Sequence, residues 1–454
     1  MPVYVFWSFS CMYHIYMVKK WLTSIMNVIS GINTIMWGGP LLILLLGIHI
    51  YFTIRTKFVQ RKLRKALKYS LEGDSAGGMS AFGTLTTTLA ATLGTGNIIG
   101  VSTAVYLGGP GGVFWCWVTG LLGMATTYAE TRLSCLYRDK QEEGHNVGGM
   151  MYVLEKALGK KGLAMLYSFF ICLSAFCAGC TTQSNAISET CLDVWGIPKW
   201  VAGIVVALPV GLVILQGVKW IEQVCMALVP AMAFLFLGGC AAYIILHISW
   251  LPETVVTIVK SAFQARSFLG GAVGFSVGMA VRYGVARGLF TNEAGLGTSG
   301  IAAASGSERI SPEKQGLISM TATFWDTVVM CAITGIVVVM FVLQKESALV
   351  DVSAGLLVKE AFGTLPLFGE ELIAIATVCF AVATLIGWSY FGQVAAEYMG
   401  GKEMLKKYQY IYVIMIFSGA VMPMGIVWEI TDFINVFILL PAVYALLKCR
   451  KMLF

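Results

Sequence analysis

Apolar stretches of bilayer-spanning length follow one another along the chain, parted by short polar segments. Such windows lie near 31–54, 80–106, 112–136, 163–190, 200–217 and 222–247, then near 268–300, 316–343, 371–397, 408–426 and 429–448. Crossing a hydrocarbon core takes about 20 helical residues, so the pattern predicts an all-α polytopic membrane protein with 11 transmembrane helices. The connections leave no room for a soluble catalytic or receptor domain.

The distribution of cations orients this array. The segment "RTKFVQRKLRKALK" after the first span is dense in Lys and Arg, which marks a cytoplasmic loop. Alternation from there places 132–161, Lys219, 301–315, 400–407 and the tail "KCRK" on the same side. Lys19, Lys20, Lys199, Lys260, Arg266, Lys345 and Lys359 fall on the other. An odd number of spans therefore puts the N-terminus outside and the C-terminus inside the cell, in the inner or plasma membrane. Residues 1–30 read as an N-terminal extension. Their apolar run "VYVFWSFSCMYHIYMV" suits a short span or a signal-like core, Lys19 and Lys20 follow it, and no small-residue cleavage site does. The alternative is a misassigned start, with translation beginning at Met17 or Met26.

Composition narrows the classes further. The chain has 454 residues, 57% of them hydrophobic and 12% charged, about half the charge of a soluble domain. The formal net charge of +7 records loop orientation, not affinity for nucleic acid, since no basic run is interleaved with stacking aromatics. The 12 cysteines sit mostly inside apolar runs, and "CLSAFCAGC" lacks zinc-ligand spacing. His14, His49, His145 and His247 are scattered. No metal cluster, histidine triad or nucleophile–base pair is legible, so the chain does not read as an enzyme.

Two spans are built unlike the rest. The second carries "GTGN" at its middle and the seventh "GVARGLFTNEAGLGTSG", with Asn292 and Glu293 at its centre. Glycine costs up to about 1 kcal/mol in a helix interior, and a freed backbone group in lipid costs several more unless something satisfies it. Gly96 and Gly100 form a G-x-x-x-G pair that would suit close helix packing. Packing alone does not account for Asn97 beside the pair or for the second glycine-and-asparagine break five spans later. A phosphate-cradling loop is excluded by spacing and by the absence of a strand-to-helix context.

If spans two to six and seven to eleven are five-helix repeats, over 80–247 and 268–448, their odd number makes them inverted, and each begins with a broken helix. The helix at 31–54 is then an extra one ahead of the repeats. Half-helix N-termini would face a carboxylate, while freed carbonyls and hydroxyls such as Thr92 and Thr95 coordinate a small cation. A zwitterionic amino acid with sodium suits such a site. Gln183 and Asn185 lie near it or bond a neighbouring backbone. Glu293 and Asp326 are costly at this depth and call for partners, with Arg282 and Arg287 as candidates. Thr384 has two fates, back-bonding within its helix or donating to a cation. Trp388 and Tyr390 are packing residues unless their rings face the breaks.

The stretches "TLAATLGTGNIIGVSTAVYLGGPGGVFWCWVTGLLGMATTYAE", "RGLFTNEAGLGTSGIAAA", "SMTATFWDTVVMCAITG" and "LIGWSYFGQVAAEY" resemble the alanine or glycine:cation symporter family, from about Gly31 to the C-terminus. The resemblance implies the inverted-repeat fold of the leucine transporter with one extra N-terminal helix. It also implies uptake of small neutral amino acids driven by sodium or, in some members, protons, with no cofactor. It assigns substrate contacts to Thr95, Gly96, Asn97, Gln183, Phe290, Asn292 and Trp388, and sodium ligands to Thr92, Thr95 and Thr384. The first thirty residues are read as having no family counterpart. Ala383 stands where a hydroxyl residue is usual, which removes one cation ligand. Met150 and Gly300 stand where proline is common, outside the expected pocket. Alanine, glycine, serine and glutamine remain open as substrates. An amino-acid sensor or a channel on the same fold is the competing class; the short loops argue against the first, and a single closed site against the second.

Overall fold

The computed structural model describes residues 24, 26–72, 78–140, 146–268, 273–345, 347–366, 368–422 and 425–453. It is predominantly helical. Residues 1–23 and 25, most of the expected N-terminal extension, lie outside the described residues; the first helix, α1, spans Met26–Arg55. A short amphipathic helix, α2 (Leu63–Ser70), follows in the cationic loop.

The second expected span is divided. Helix α3 (Ala81–Thr92) starts on a serine N-cap, Ser80, whose hydroxyl accepts from the Gly83 amide at 2.9 Å. A 3-10 turn over Thr95–Asn97 leads into α4 (Ile99–Gly108), and the chain bends by 62° across the break. Helix α5 (Gly111–Leu136) returns, and the small antiparallel pair β1 (Asp139–Lys140) and β2 (Asn146–Val147) precedes the short α6 (Met150–Lys156). Helix α7 spans Lys161–Trp195 and contains a π-helical segment over Ala175–Thr181. Helices α8 (Lys199–Gln216) and α9 (Val218–Leu246) come next, then α10 (Leu251–Phe263) and the antiparallel pair β3 (Arg266–Phe268) and β4 (Val273–Phe275).

The second break repeats the first in outline. Helix α11 (Val277–Asn292) again begins on a serine, Ser276, accepting from the Met279 amide at 3.1 Å. It stops before Glu293, and the helix resumes as α12 (Ser299–Ala304). Helix α13 (Pro312–Gln344) carries a second π-helical segment at Phe324–Cys331. After the short α14 (Leu357–Gly363), α15 (Gly369–Val421) and α16 (Gly425–Lys448) end the array.

Among the described residues seven helices are long and apolar enough to cross a membrane, or eight if α3 and α4 count as one span. The differences from the sequence pattern have physical causes. Spans expected at 371–397 and 408–426 are joined in α15, whose 53 residues would run about 80 Å if straight. Gly400 and Gly401 leave helical geometry there (φ −148° and +63°) and divide it. The span expected from 268 begins at Val277 instead, because β3 and β4 occupy the residues before it. Helix α5 buries Thr119, Thr126, Thr127, Glu130 and Thr131 against other helices, so it need not be apolar to lie in the interior. Helices α8 and α9 contrast with it: Val205, Leu208, Leu212, Phe234 and Ile245 are exposed on an outward apolar face that suits lipid.

Candidate functional site

At the first break Gly94 donates its amide to the Thr92 carbonyl (2.9 Å) and to Asn97 Oδ1 (3.1 Å). The Asn97 amide returns to the Gly94 carbonyl at 3.2 Å. Asn97 Nδ2 donates to the Asp326 carboxylate at 2.7 Å and to its backbone carbonyl at 3.2 Å. The Asn97 side chain is therefore used up in bracing the turn. Two neighbouring helices touch the remaining polar groups of the break. Gln183 Oε1, on α7, accepts from the Thr95 hydroxyl at 3.1 Å and its amide at 3.4 Å. Thr384, on α15, donates to Phe380 in its own helix at 3.0 Å, the back-bonding expected of it, and also to the freed Leu93 carbonyl at 3.3 Å.

Carboxylates hold the second break. The Gly295 amide donates to Glu130 Oε1, on α5, at 2.5 Å, and the Thr298 hydroxyl to Glu293 Oε2 at 2.7 Å. Asn292 Oδ1 accepts from the Ala294 amide at 3.0 Å, and Tyr167 donates to the Leu296 carbonyl at 2.7 Å. The expectation that arginines pair with the deep carboxylates is corrected here. Asp326 is met by Asn97 and by the Thr327 hydroxyl at 2.6 Å, Glu293 by Thr298. Arg282 and Arg287 instead line an outer cavity of about 220 Å³ beside Asn33, Trp37, Glu429 and Asp432. A guanidinium beside either carboxylate would itself have to be desolvated.

Between the breaks lies a small inner cavity of about 30 Å³, roomy enough for a water or two. Among its walls are Thr92, Gly96, Gln183, Phe290, Thr384 and Trp388, which the sequence reading singled out. Gly96 brings α11 close: a Cβ there would stand 3.1 Å from Thr291 Cγ2 and 3.7 Å from the Phe290 ring. Gly100 also faces α11, through Arg287, so the G-x-x-x-G pair does pack helices, and the helix it packs is the other broken one. Phe290 lines the inner and outer cavities alike.

Residues 22–454 match the sodium:alanine symporter family. The chain belongs to that family. The sodium:alanine symporter match begins ahead of Gly31, so part of the first thirty residues has a family counterpart after all. An uncharacterized transporter of Haemophilus influenzae is 41% identical over 435 residues, covering 95% of this chain and 95% of that one. The sodium/alanine symporter AgcS of Methanococcus maripaludis is 38% identical, covering 93% and 94%. A "Probable sodium/glutamine symporter GlnT" of Bacillus subtilis is 31% identical, covering 95% and 90%. This member of the sodium:alanine symporter family is a multi-pass membrane protein and a sodium-coupled amino-acid transporter, not an enzyme.

Three of the residues singled out from sequence do not line the inner cavity: Asn97 and Asn292 cap their own breaks, and Thr95 is screened from it by the Gln183 oxygen it bonds. Asn185 is also turned away, bonding the Gly419 carbonyl at 3.3 Å and that of Met422. Tyr390 meets the Ser305 hydroxyl instead of the cavity. Ala383, the missing hydroxyl, is fully buried elsewhere. Sequence reasoning missed Ala178, Thr291, Glu293 and Asn435 as wall residues. Asn435 had a signal, an isolated amide in the apolar run "FINVFILL". The π-helical segment of α7 had none; it leaves the Ala178 carbonyl to accept from Gln183 Nε2 at 3.2 Å, which aims the opposite end of that amide at Thr95.

Proposed function

We propose that this transporter imports a small neutral amino acid, alanine or glycine, together with sodium by alternating access. The observation that carries the reading is a single polar cavity between two helix breaks, bordered by Gly96, Gln183, Phe290 and Trp388. The architecture we assign is 11 spans in two inverted five-helix repeats, over 80–247 and 268–448, behind an extra helix at 31–54. In this reading the N-terminus is outside and the C-terminus cytoplasmic.

The substrate carboxylate takes the place now held by Gln183 Oε1, an acceptor oxygen resting on the Thr95 hydroxyl and amide. Gln183 then turns its Nε2 donors toward the substrate. Alanine is larger than the inner cavity, so admission requires Gln183 and the Phe290 ring to move apart. Phe290, which borders both cavities, is the natural barrier between the outer vestibule and the site. Sodium is assigned to the hydroxyls of Thr92, Thr95 and Thr384 with the Leu93 carbonyl, where a freed acceptor and a hydroxyl already touch. Ordering two interrupted helices costs entropy that either ligand alone meets in part, so each favours binding of the other. The membrane potential adds roughly 2.3 kcal/mol per charge per 100 mV.

The names of the relatives support alanine first and keep glutamine as the second reading. Reconstitution into liposomes with labelled alanine tests the proposal, with sodium and proton gradients imposed separately and glycine, serine and glutamine as competitors. Sodium-driven accumulation of alanine is expected. Accumulation driven by a proton gradient alone would reassign the coupling ion, and no accumulation of any small neutral amino acid would end the proposal.

A further inference from the structure

We propose that the Glu293 carboxylate is the counter-charge of the cargo, meeting its monovalent cationic group, either the sodium ion or the substrate's α-ammonium. The inference rests on the amino-acid and sodium symport reading of the same cavity. Among the described lining residues Glu293 is the one ionisable side chain. It is 5% exposed, its carboxylate is met by the Thr298 hydroxyl and by the Trp388 side chain, and no ion pair joins it among the described residues. The other deep carboxylates stand behind the cavity and are already engaged: Glu130 with the Gly295 amide, Asp326 with Asn97 and Thr327. The arginines nearest in sequence, Arg282 and Arg287, lie in the outer cavity with Glu429 and Asp432.

The backbone adds an independent reason to expect a role. Glu293 ends α11 in the left-handed conformation, φ +54°, where glycine or asparagine is the unstrained choice. A glutamate there accepts strain and places a carboxylate at the cavity wall. Leaving that charge unpaired in a low-dielectric site is costly, and a cation arriving with the substrate relieves the cost. One sodium with a zwitterion carries a single positive charge, so the loaded cavity is neutral with an ionised Glu293. The loaded carrier then crosses without moving charge.

The test compares the full-length protein with Glu293→Gln, which keeps an acceptor for Thr298. Labelled-alanine binding is measured against sodium concentration, and alanine affinity at saturating sodium. If sodium is the partner, Glu293→Gln raises the half-saturating sodium at least tenfold; if the ammonium is, alanine affinity at saturating sodium falls at least tenfold. In liposomes, alanine exchange is insensitive to potential in the wild type and becomes sensitive in the variant, which a purely structural role would not produce. Sodium and alanine affinities both within twofold of wild type in the folded variant overturn the proposal. Should Glu293→Gln not fold, Glu293→Asn, suited to the left-handed backbone, carries the same comparison. Absence of sodium-dependent alanine binding in the wild type would instead refute the transport reading itself.

Discussion

The two breaks use glycine for different reasons. Gly94 has an extended φ of −117°, open to any residue, but a Cβ there would stand 2.7 Å from Thr384 Oγ1. Gly295 and Gly297 have φ of +102° and +80°, where side chains are strained whatever the space. The first break thus needs room, and the second needs a backbone conformation as well as room. Their polar partners differ as well. At the first break amides and hydroxyls from Gln183, Asn97 and Thr384 meet the turn, with the Asp326 carboxylate behind them through Asn97, while at the second the Glu130 carboxylate meets the backbone directly and Glu293 belongs to the break itself. A pair of breaks that is alike in outline is therefore unlike in which groups meet the backbone.

The largest expected effect comes from the brace behind the first break. Asn97→Leu removes the cap on the Gly94 amide and strands the Asp326 carboxylate, a loss of about 3 kcal/mol for bonds to a charged group. Thermal unfolding in detergent should show a markedly lower Tm, and an unchanged Tm would mean that the brace is dispensable. Next, Gly295→Ala should cost about 2 kcal/mol from forcing a side chain into the left-handed region, aggravated by a Cβ 2.9 Å from Leu45 Cδ2. The same assay checks it, and equal tolerance of Gly295→Ala and Gly100→Ala would erase the distinction between the breaks.

Gly94→Ala should leave stability within about 1 kcal/mol yet displace Thr384, so its effect belongs in the sodium dependence of uptake. Restoration of uptake by shrinking the neighbour, in Gly94→Ala with Thr384→Ser, would contradict this, because the hydroxyl that collides would remain. The smallest effect is that of Gly100→Ala. Its Cβ would sit 3.9 Å from Arg287 Cδ, an ordinary contact, and stability should change by less than about 0.5 kcal/mol.

Much of this was legible in the chain, because the breaks announce themselves as glycine and asparagine inside apolar runs. The helical class, both interruptions and six of the cavity residues follow from "TLGTGN", "GLFTNEAG", Gln183 and "TLIGWSY". Side-chain direction was not legible. Asn97 and Asn292 look like ligands in sequence, yet each caps its own break, since a short amide one turn from a freed amide bonds locally. One partner of Asp326, Thr327, is its neighbour in sequence, but the other, Asn97, lay 229 residues away, beyond any local pattern. Glu293 was noticed as a cost to be paired with arginine, because sequence gives charge without giving the wall it faces. Helix α5 was read at 112–136, within a residue of Gly111–Leu136, although its polar residues face protein.

The most direct measurement is accumulation of labelled alanine against its gradient in proteoliposomes under an inward sodium gradient, for the wild type and for Gln183→Leu. Gln183 borders the cavity and touches the first break through one oxygen, so the variant should fold as the wild type does while losing accumulation. Wild-type accumulation in a folded Gln183→Leu protein would contradict the claim that the substrate binds between the two breaks.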